Sequence, residues 1–70
     1  RQGDLVQATS YLRRALQLNQ DDEIAAHLGE VLWVSGKHAD ARAVWREGLE
    51  YAPDSDKIRS AIERLQASYQ

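Results

Sequence analysis

Apolar residues recur every three to four positions in four separate stretches of this chain. That spacing places them along one side of an α-helix, and no stretch shows the strict alternation that is typical of a strand. The predicted helices cover approximately residues 4–18, 22–34, 38–51 and 55–68. The pattern therefore predicts an all-α chain.

Residues with known preferences mark the helix boundaries. Gly3 and Gly36 each precede a helical pattern, and Pro53, which has no amide hydrogen, cannot extend the third helix. Asp4 is expected to cap the first helix, with Gln7 three residues on as its capping partner. Acidic and hydroxyl side chains stand at the starts of the second and fourth helices, where they favour the positive end of the helix dipole: Asp21, Asp22 and Glu23, then Asp54, Ser55 and Asp56.

The chain repeats itself with an offset of 33 residues. Between the first and third helices, small residues superpose on small ones and large apolar residues on large apolar ones at this offset, which indicates repeated packing units. The first helix is equivalent to the third and the second to the fourth. The matched pairs include Ala8 with Ala41, Leu12 with Trp45, Leu16 with Leu49, Ala25 with Ile58, Leu28 with Ala61 and Leu32 with Leu65.

The stretch EIAAHLGEVLWVSGKHADARAVWREGLEYAPD, residues 23–54, resembles the tetratricopeptide repeat. The family places a Leu-Gly pair in its first helix, a glycine in the turn, a small–aromatic–small series in its second helix and a closing proline. The positions that carry these marks are Leu28, Gly29, Gly36, Ala41, Trp45, Gly48 and Pro53. The resemblance implies antiparallel helix-turn-helix repeats, as in a fragment of an α-solenoid.

The spacing also has a physical reading of its own. Small residues at Gly29, Ala41 and Gly48 allow two helix backbones to approach closely, and the bulk of Trp45 fills the space beside them. We therefore expect one tightly packed helix pair. Its two inner faces comprise Ala25, Leu28, Gly29 and Leu32 on the second helix, and Ala41, Val44, Trp45, Gly48 and Leu49 on the third.

Three segments follow from this reading. Residues 1–21 are predicted to be the second helix of a truncated preceding repeat, 22–54 one complete repeat, and 55–70 a capping helix. Because Ile62 replaces the glycine of the family pattern, and the outer side of the fourth helix is polar, we expect the array to end there. The chain lacks methionine and is expected to be a piece of a longer protein.

The first helix is expected to expose an apolar face. Its stripe would be covered by a helix that precedes Arg1, and without that helix we expect homo-oligomers to form through this face. The stripe consists of Leu5, Ala8, Leu12, Ala15 and Leu16.

A narrower resemblance concerns the stretch AAHLGEVLW and the G–A–VW spacing after it, residues 25–45. These features are similar to the last repeats of Gram-negative tetratricopeptide lipoproteins, adaptors at the outer membrane that present substrates to a periplasmic carboxyl-terminal processing protease. The resemblance implies a periplasmic, outer-membrane-associated location. It also implies that the partner is this protease or its substrates.

Composition and motifs argue against other functions. The chain has no cysteine, and its net charge of −2 comes without a concentrated basic face, so we expect no thiolate metal site and no nucleic-acid partner. No apolar run approaches the roughly 18 residues that cross a bilayer, so this segment is not expected to insert into a membrane. The serines lack a catalytic setting and no phosphate-binding loop is present, which predicts a protein that is not an enzyme and has no cofactor.

One set of side chains resembles a metal site only weakly. Glu23, His27 and Glu30 lie on one predicted helix face, but one histidine with two solvated carboxylates is a poor set of zinc ligands. An intrahelical pattern of charges and hydrogen bonds explains the spacing better, so no metal is expected.

The sequence favours a protein-interaction scaffold that binds a protein or peptide on a concave face. By family position, six residues of the second helix would face or border this groove: Glu23, Ala26, His27, Glu30, Trp33 and Val34. Trp33 is either an anchor for a partner's apolar side chain or a packing residue, and the sequence leaves both open. Lys and Asn residues that grip a carboxylate terminus in the family are absent, so an apolar or basic peptide fits better. The alternative is a segment that only caps a longer array or mediates oligomerisation, with the binding groove upstream.

Overall fold

The structure, a computed structural model, describes the backbone of residues 2–69 and the side chains of residues 4–67. Four helices make up this part: α1 (Gln2–Leu18), α2 (Asp22–Val34), α3 (His38–Tyr51) and α4 (Asp56–Tyr69). Residues 2–69 contain no strand, which confirms the predicted all-α class. Within the same residues, no helix combines the length and the apolar character that crossing a membrane requires.

The predicted boundaries hold for α2 and α3 and are wrong for α1. Because α1 begins at Gln2, Gly3 lies inside the helix and Asp4 belongs to the first turn, so Asp4 is not its cap. A glycine in a helix costs only about 1 kcal/mol relative to alanine, which is too little to end one. At α4 the cap is Ser55, whose Oγ accepts a hydrogen bond from the backbone N–H of Ile58 at 3.2 Å.

The second helix is the centre of the fold. It packs against α1, α3 and α4, and α3 also packs against α4. Each neighbour therefore covers a different side of α2, as expected for helix pairs stacked along a solenoid. The arrangement confirms antiparallel helical repeats.

The core lies where α2, α3 and α4 meet. Trp45 is only 1% exposed, and its burial contributes on the order of 3 kcal/mol of hydrophobic free energy. The other buried apolar side chains are Ala25, Ala26, Leu28, Leu32, Trp33, Ala41, Val44, Ile58 and Ala61, with Leu12, Leu16, Leu49, Ile62 and Leu65 partly buried against them.

Two glycines allow the helices to approach closely. A Cβ atom added to Gly29 would overlap the indole ring of Trp45, so this ring lies directly against the backbone of α2. A Cβ atom added to Gly48 would lie 2.7 Å from Cδ1 of Ile58 and 3.1 Å from Cβ of Ala25. The predicted role of these small residues is confirmed.

The turn between α2 and α3 requires its glycine for backbone reasons. Gly36 has φ = 87°, a region that side-chain-bearing residues rarely adopt. Its N–H donates to the carbonyl of Trp33 at 3.0 Å, and the N–H of Lys37 donates to the carbonyl of Leu32 at 2.9 Å. This pair of bonds is a Schellman motif, which ends α2 and directs the chain into α3.

Candidate protein-binding surface

Polar side chains of α2 and α4 form one outward surface, which we call the α2/α4 face. On α2 it comprises Glu23, His27, Glu30 and Val34, at helical spacings that place them on one side. His27 and Val34 are exposed, the latter by 66%. On α4 the neighbouring stripe comprises Lys57, Ser60 and Arg64.

Two ion pairs bridge α2 and α4 across this face. Nζ of Lys57 lies 3.2 Å from Oε1 of Glu23, and the guanidinium of Arg64 contacts the carboxylate of Glu30. The hydrogen bond to Glu23, together with its negative charge, raises the pKa of Lys57. Because each glutamate has a cationic neighbour, the negative charge of Glu23 and Glu30 is offset on this face. Both pairs are largely open to solvent, so each contributes little to the stability of the fold.

Two of the six predicted groove residues are buried. Ala26 and Trp33 belong to the core, and Trp33 is only 7% exposed. Its ring stacks on the His38 ring at 4.0 Å and lies 5.8 Å from that of Trp45, between ring centroids. These contacts support the packing interpretation of Trp33, because little of its surface is left for a partner. Partner binding by any of the six residues stays a prediction.

A hydrogen bond joins the starts of α2 and α4. Oγ of Ser55 donates to Oδ2 of Asp22 at 2.6 Å, and Ser55 is buried. This hydrogen bond lowers the pKa of Asp22, with a smaller contribution from the charge of Lys57, while partial desolvation opposes it. From the sequence, Ser55 was expected only to stand at the start of a helix. The 33-residue offset makes Ser55 equivalent to Asp22 but does not predict a contact between them.

The opposite side of the molecule has a cleft of about 240 Å³ between α1 and α3. Arg13, Leu16, Val44 and Tyr51 contribute to its walls. The hydroxyl of Tyr51 is buried and has no hydrogen-bond partner among the described side chains and backbone. Desolvation raises the pKa of this phenol, and the negative charge of Glu47 adds to the effect. No sequence pattern indicated this cleft.

The apolar face of α1 differs from the one predicted. The stripe that includes Leu12 and Leu16 is only partly exposed, because both residues pack against the core. The most exposed large apolar side chains of α1 are instead Val6, Tyr11 and Leu18, and Tyr11 is 74% and Leu18 82% exposed. Exposed apolar side chains are therefore present on α1, but they are not those of the predicted stripe.

Glu23, His27 and Glu30, whose spacing resembles a metal site only weakly and from which no metal was expected, lie on α2. Within the described residues, no three His, Asp or Glu side chains come together in a way that could hold a metal ion. Glu23 and Glu30 instead contact cations of α4.

Comparisons with known proteins agree with the helix arrangement. A TPR repeat-containing protein of Pseudomonas aeruginosa is 60% identical over 65 residues, which are 93% of this chain and 11% of that protein. An uncharacterized protein of Aquifex aeolicus is 37% identical over 49 residues, 70% of this chain and 6% of that protein. The chain thus spans about a tenth or less of the length of these curated relatives. No solved structure matches.

A family model described as tetratricopeptide repeat matches residues 1–67. This match extends over α1, α2, α3 and most of α4, so it includes the repeat marks around Gly29 and Trp45. The chain belongs to the tetratricopeptide repeat family.

Proposed function

We propose that this chain is a protein-interaction module that binds a protein or peptide partner on its α2/α4 face. Tetratricopeptide repeats generally mediate protein–protein interactions and generally act as non-catalytic scaffolds. The observation that carries the proposal is the alignment of exposed side chains on two neighbouring helices. Their relative position is fixed by the core beneath them and by the Ser55–Asp22 hydrogen bond. A rigid surface of this kind binds a partner without a large ordering cost.

The chemistry of the face favours a partner segment with apolar and basic side chains. Val34 offers an exposed apolar contact at one end of the stripe. Each ion pair engages one carboxylate oxygen of Glu23 or Glu30, so the second oxygen can accept a hydrogen bond from a basic side chain. A carboxylate terminus fits less well, because Glu30 and Val34 stand where the family's clamp residues would be.

Peptide selection followed by surface mapping tests this proposal. Short random peptides are selected on the immobilised chain, and the tightest binders are titrated into isotope-labelled chain. We expect chemical-shift changes at His27, Glu30 and Val34, and Val34→Lys should weaken binding at least tenfold, about 1.4 kcal/mol. The matched control is Ala43→Lys, an exposed position of α3 on the other side. Equal losses in both variants, or shifts confined to α1 and α3, would refute the proposal.

We further propose that the chain is part of an adaptor of the bacterial periplasm, associated with the outer membrane. Two observations support this reading: the resemblance of residues 25–45 to lipoprotein adaptors, and the relative from Pseudomonas aeruginosa, a Gram-negative bacterium. The partner would be a carboxyl-terminal processing protease of the periplasm or its substrates. Biolayer interferometry between the chain and that protease, with Val34→Lys in parallel, tests this. No binding at about 1 mM protease would count against it.

A second candidate function is structural: capping or oligomerisation of a longer array, with the binding groove elsewhere. The observation that favours it is the uncovered apolar surface of α1 at Tyr11 and Leu18. We propose that copies of the chain associate through this surface. Light scattering that gives the mass of a monomer at all concentrations would exclude it.

A further inference from the structure

A groove runs between α1 and α3, on the side of the molecule away from the α2/α4 face. Two adjoining clefts of about 240 and 330 Å³ form it, and both are lined by Arg13 of α1 and by Val44 and Glu47 of α3. Among the described residues, no Cα atoms of α1 and α3 come within 8 Å of each other, so the two helices stand apart. The buried Leu28 of α2 lies at the bottom. We call this feature the α1/α3 groove.

Both walls of the α1/α3 groove lie inside the chain. On α3 the wall includes Val44 and Glu47. Their equivalents at the 33-residue offset are Tyr11 and Arg14, so a repeat that preceded α1 would lie against that side of α1. The other wall of the groove is formed by different residues of α1 and of the turn after it: Arg13, Leu16, Gln17 and Gln20. The openness of the groove therefore does not follow from the limits of the sequence.

The α3 wall of the groove is acidic. It carries three exposed carboxylates, those of Asp40, Glu47 and Glu50. Within the described part of the chain, none of them lies within ion-pair distance of a cation. The groove contains two guanidinium groups, those of Arg13 and Arg46, so its walls keep a net negative charge. The C-terminal ends of α1 and α3, which have no basic residue in their last turns, add partial negative charge at one end.

The same negative charge acts on Tyr51, which lines that end of the groove. Desolvation is the main cause of the raised pKa of its phenol, and nearby carboxylates add to the effect: Glu47, Asp22 and Asp21. Negative charge that disfavours the phenolate attracts a cation at the same place. A positively charged group of a partner would therefore be stabilised here.

The floor of the groove is apolar, with Leu16, Leu28 and Val44 at its base. The cleft of about 240 Å³ is smaller than the roughly 300–1,000 Å³ of small-molecule sites, so it suits a side chain of a larger partner. Lysine and arginine lay an apolar stem on such a floor and keep the charged group in polar surroundings. The exposed amides of Gln17 and Gln20 can bond to the partner's main chain beside that side chain.

We propose that the α1/α3 groove is a second protein-binding surface, which receives a lysine or arginine side chain of a partner. The stem of this side chain lies on Leu28 and Val44. Its cationic group lies at Glu47, on the wall that faces away from α1. Binding in this groove is independent of the α2/α4 face and of self-association through α1.

Peptide selection on a chain whose α2/α4 face is blocked tests this proposal. Short random peptides are selected on the immobilised Val34→Lys chain, and the tightest binders are titrated into isotope-labelled wild-type chain. We expect these peptides to contain lysine or arginine and to shift the methyl resonances of Leu16, Leu28 and Val44. Glu47→Lys should weaken their binding roughly tenfold or more, and Glu47→Gln should weaken it less but in the same direction.

Matched controls separate the groove from general electrostatic attraction. Glu63→Lys makes the same change of charge at an exposed position of α4, outside the groove, and should leave the binding unchanged. In the peptide, norleucine in place of the basic residue keeps the apolar stem without the charge, and should weaken binding roughly tenfold. Circular dichroism checks that each variant is folded.

Three results would overturn the proposal. They are a selection that yields no peptide whose binding depends on Glu47, a Glu63→Lys variant that loses as much affinity as Glu47→Lys, and a norleucine peptide that binds as tightly as the basic one. Val34→Lys should bind the groove peptides like the wild type, although it weakens peptides of the α2/α4 face. A failure of this proposal is therefore distinguishable from a failure of partner binding on that face.

Discussion

The contact between Gly29 and Trp45 provides the sharpest test of how this helix pair packs. A methyl group added at Gly29 would overlap three atoms of the indole, and the indole is buried on every side. Gly29→Ala therefore forces Trp45 to move within the core. Trp45→Leu removes the ring and leaves space at the same place. We predict that the two substitutions are strongly coupled.

The expected magnitudes follow from the burial of both residues. Overpacking a core costs roughly 1–3 kcal/mol, and replacing a helical glycine with alanine regains about 0.5–1 kcal/mol. Gly29→Ala should thus destabilise the chain by about 1–2 kcal/mol. Trp45→Leu should cost about 2–4 kcal/mol, less than truncation of a tryptophan to alanine. In the double variant, the methyl group enters the space left by the ring. The destabilisation of the double variant should therefore be about 1–2 kcal/mol smaller than the sum of the two single destabilisations.

Urea denaturation monitored by circular dichroism measures these free energies of unfolding. Tryptophan fluorescence is unsuitable as the probe, because the substitution of Trp45 itself changes the signal. The control combines Gly36→Ala with Trp45→Leu, because no atom lies within 4 Å of a Cβ added at Gly36. This control pair should be additive to within about 0.5 kcal/mol. If the destabilisations of Gly29→Ala and Trp45→Leu also add to within about 0.5 kcal/mol, the proposed packing of Trp45 against Gly29 is wrong.

Four other predictions concern the backbone and the polar contacts. Gly36→Ala should cost about 1 kcal/mol in urea denaturation because of its positive φ alone, with no atom near the added methyl group, and Gly36→Asn should cost clearly less. Ser55→Ala should cost about 1–2 kcal/mol at pH 7, because the cap of α4 and the bond to Asp22 are both lost. The pKa of Asp22 is lowered in the folded state. The ionised carboxylate therefore stabilises the fold above its unfolded pKa of about 4, and this stabilisation is lost as the pH falls through the folded pKa. Asp22→Asn should be less stable than the wild type at pH 7, and its free energy of unfolding should fall less on acidification. Glu23→Gln should change the free energy of unfolding only slightly, and 1 M salt should erase the difference, because the ion pair of Glu23 with Lys57 is exposed.

Local rules explain why much of the fold could be read from the chain. The 3.6-residue period, the glycine at Gly36 and the proline at Pro53 act over a few residues, so they place α2 and α3 without any tertiary information. The small residues at Gly29 and Gly48 predicted the close approach of the helices, because Trp45 lies against the first of them, and Ile58 and Ala25 lie against the second. The start of α1 was missed, because a glycine at its edge is compatible with both a helix and a turn.

The candidate surface could be predicted less well from the sequence, because the burial of a side chain on α2 depends on which helices lie beside α2. Periodicity placed Trp33 off the main apolar stripe, yet its ring is covered by His38 and Trp45, which arrive from α3. The glutamates were correctly placed on one exposed side of α2, but their cationic neighbours come from α4. A contact between residues 34 positions apart leaves no signature in local spacing.

The sequence by itself determined the helical class, the repeat offset and the packed pair around Trp45. The reason is that hydrophobic periodicity and residue size constrain the helix in which the residues lie and how closely a neighbouring helix can approach. Only the tertiary structure decided that Trp33 is packed inside, that Ser55 joins α4 to Asp22, and that Tyr11 and Leu18 are the uncovered apolar residues of α1. The physical reason is that exposure and pairing are properties of two or more helices together. A helix shows which residues share a side, and its neighbours decide which side remains open to a partner.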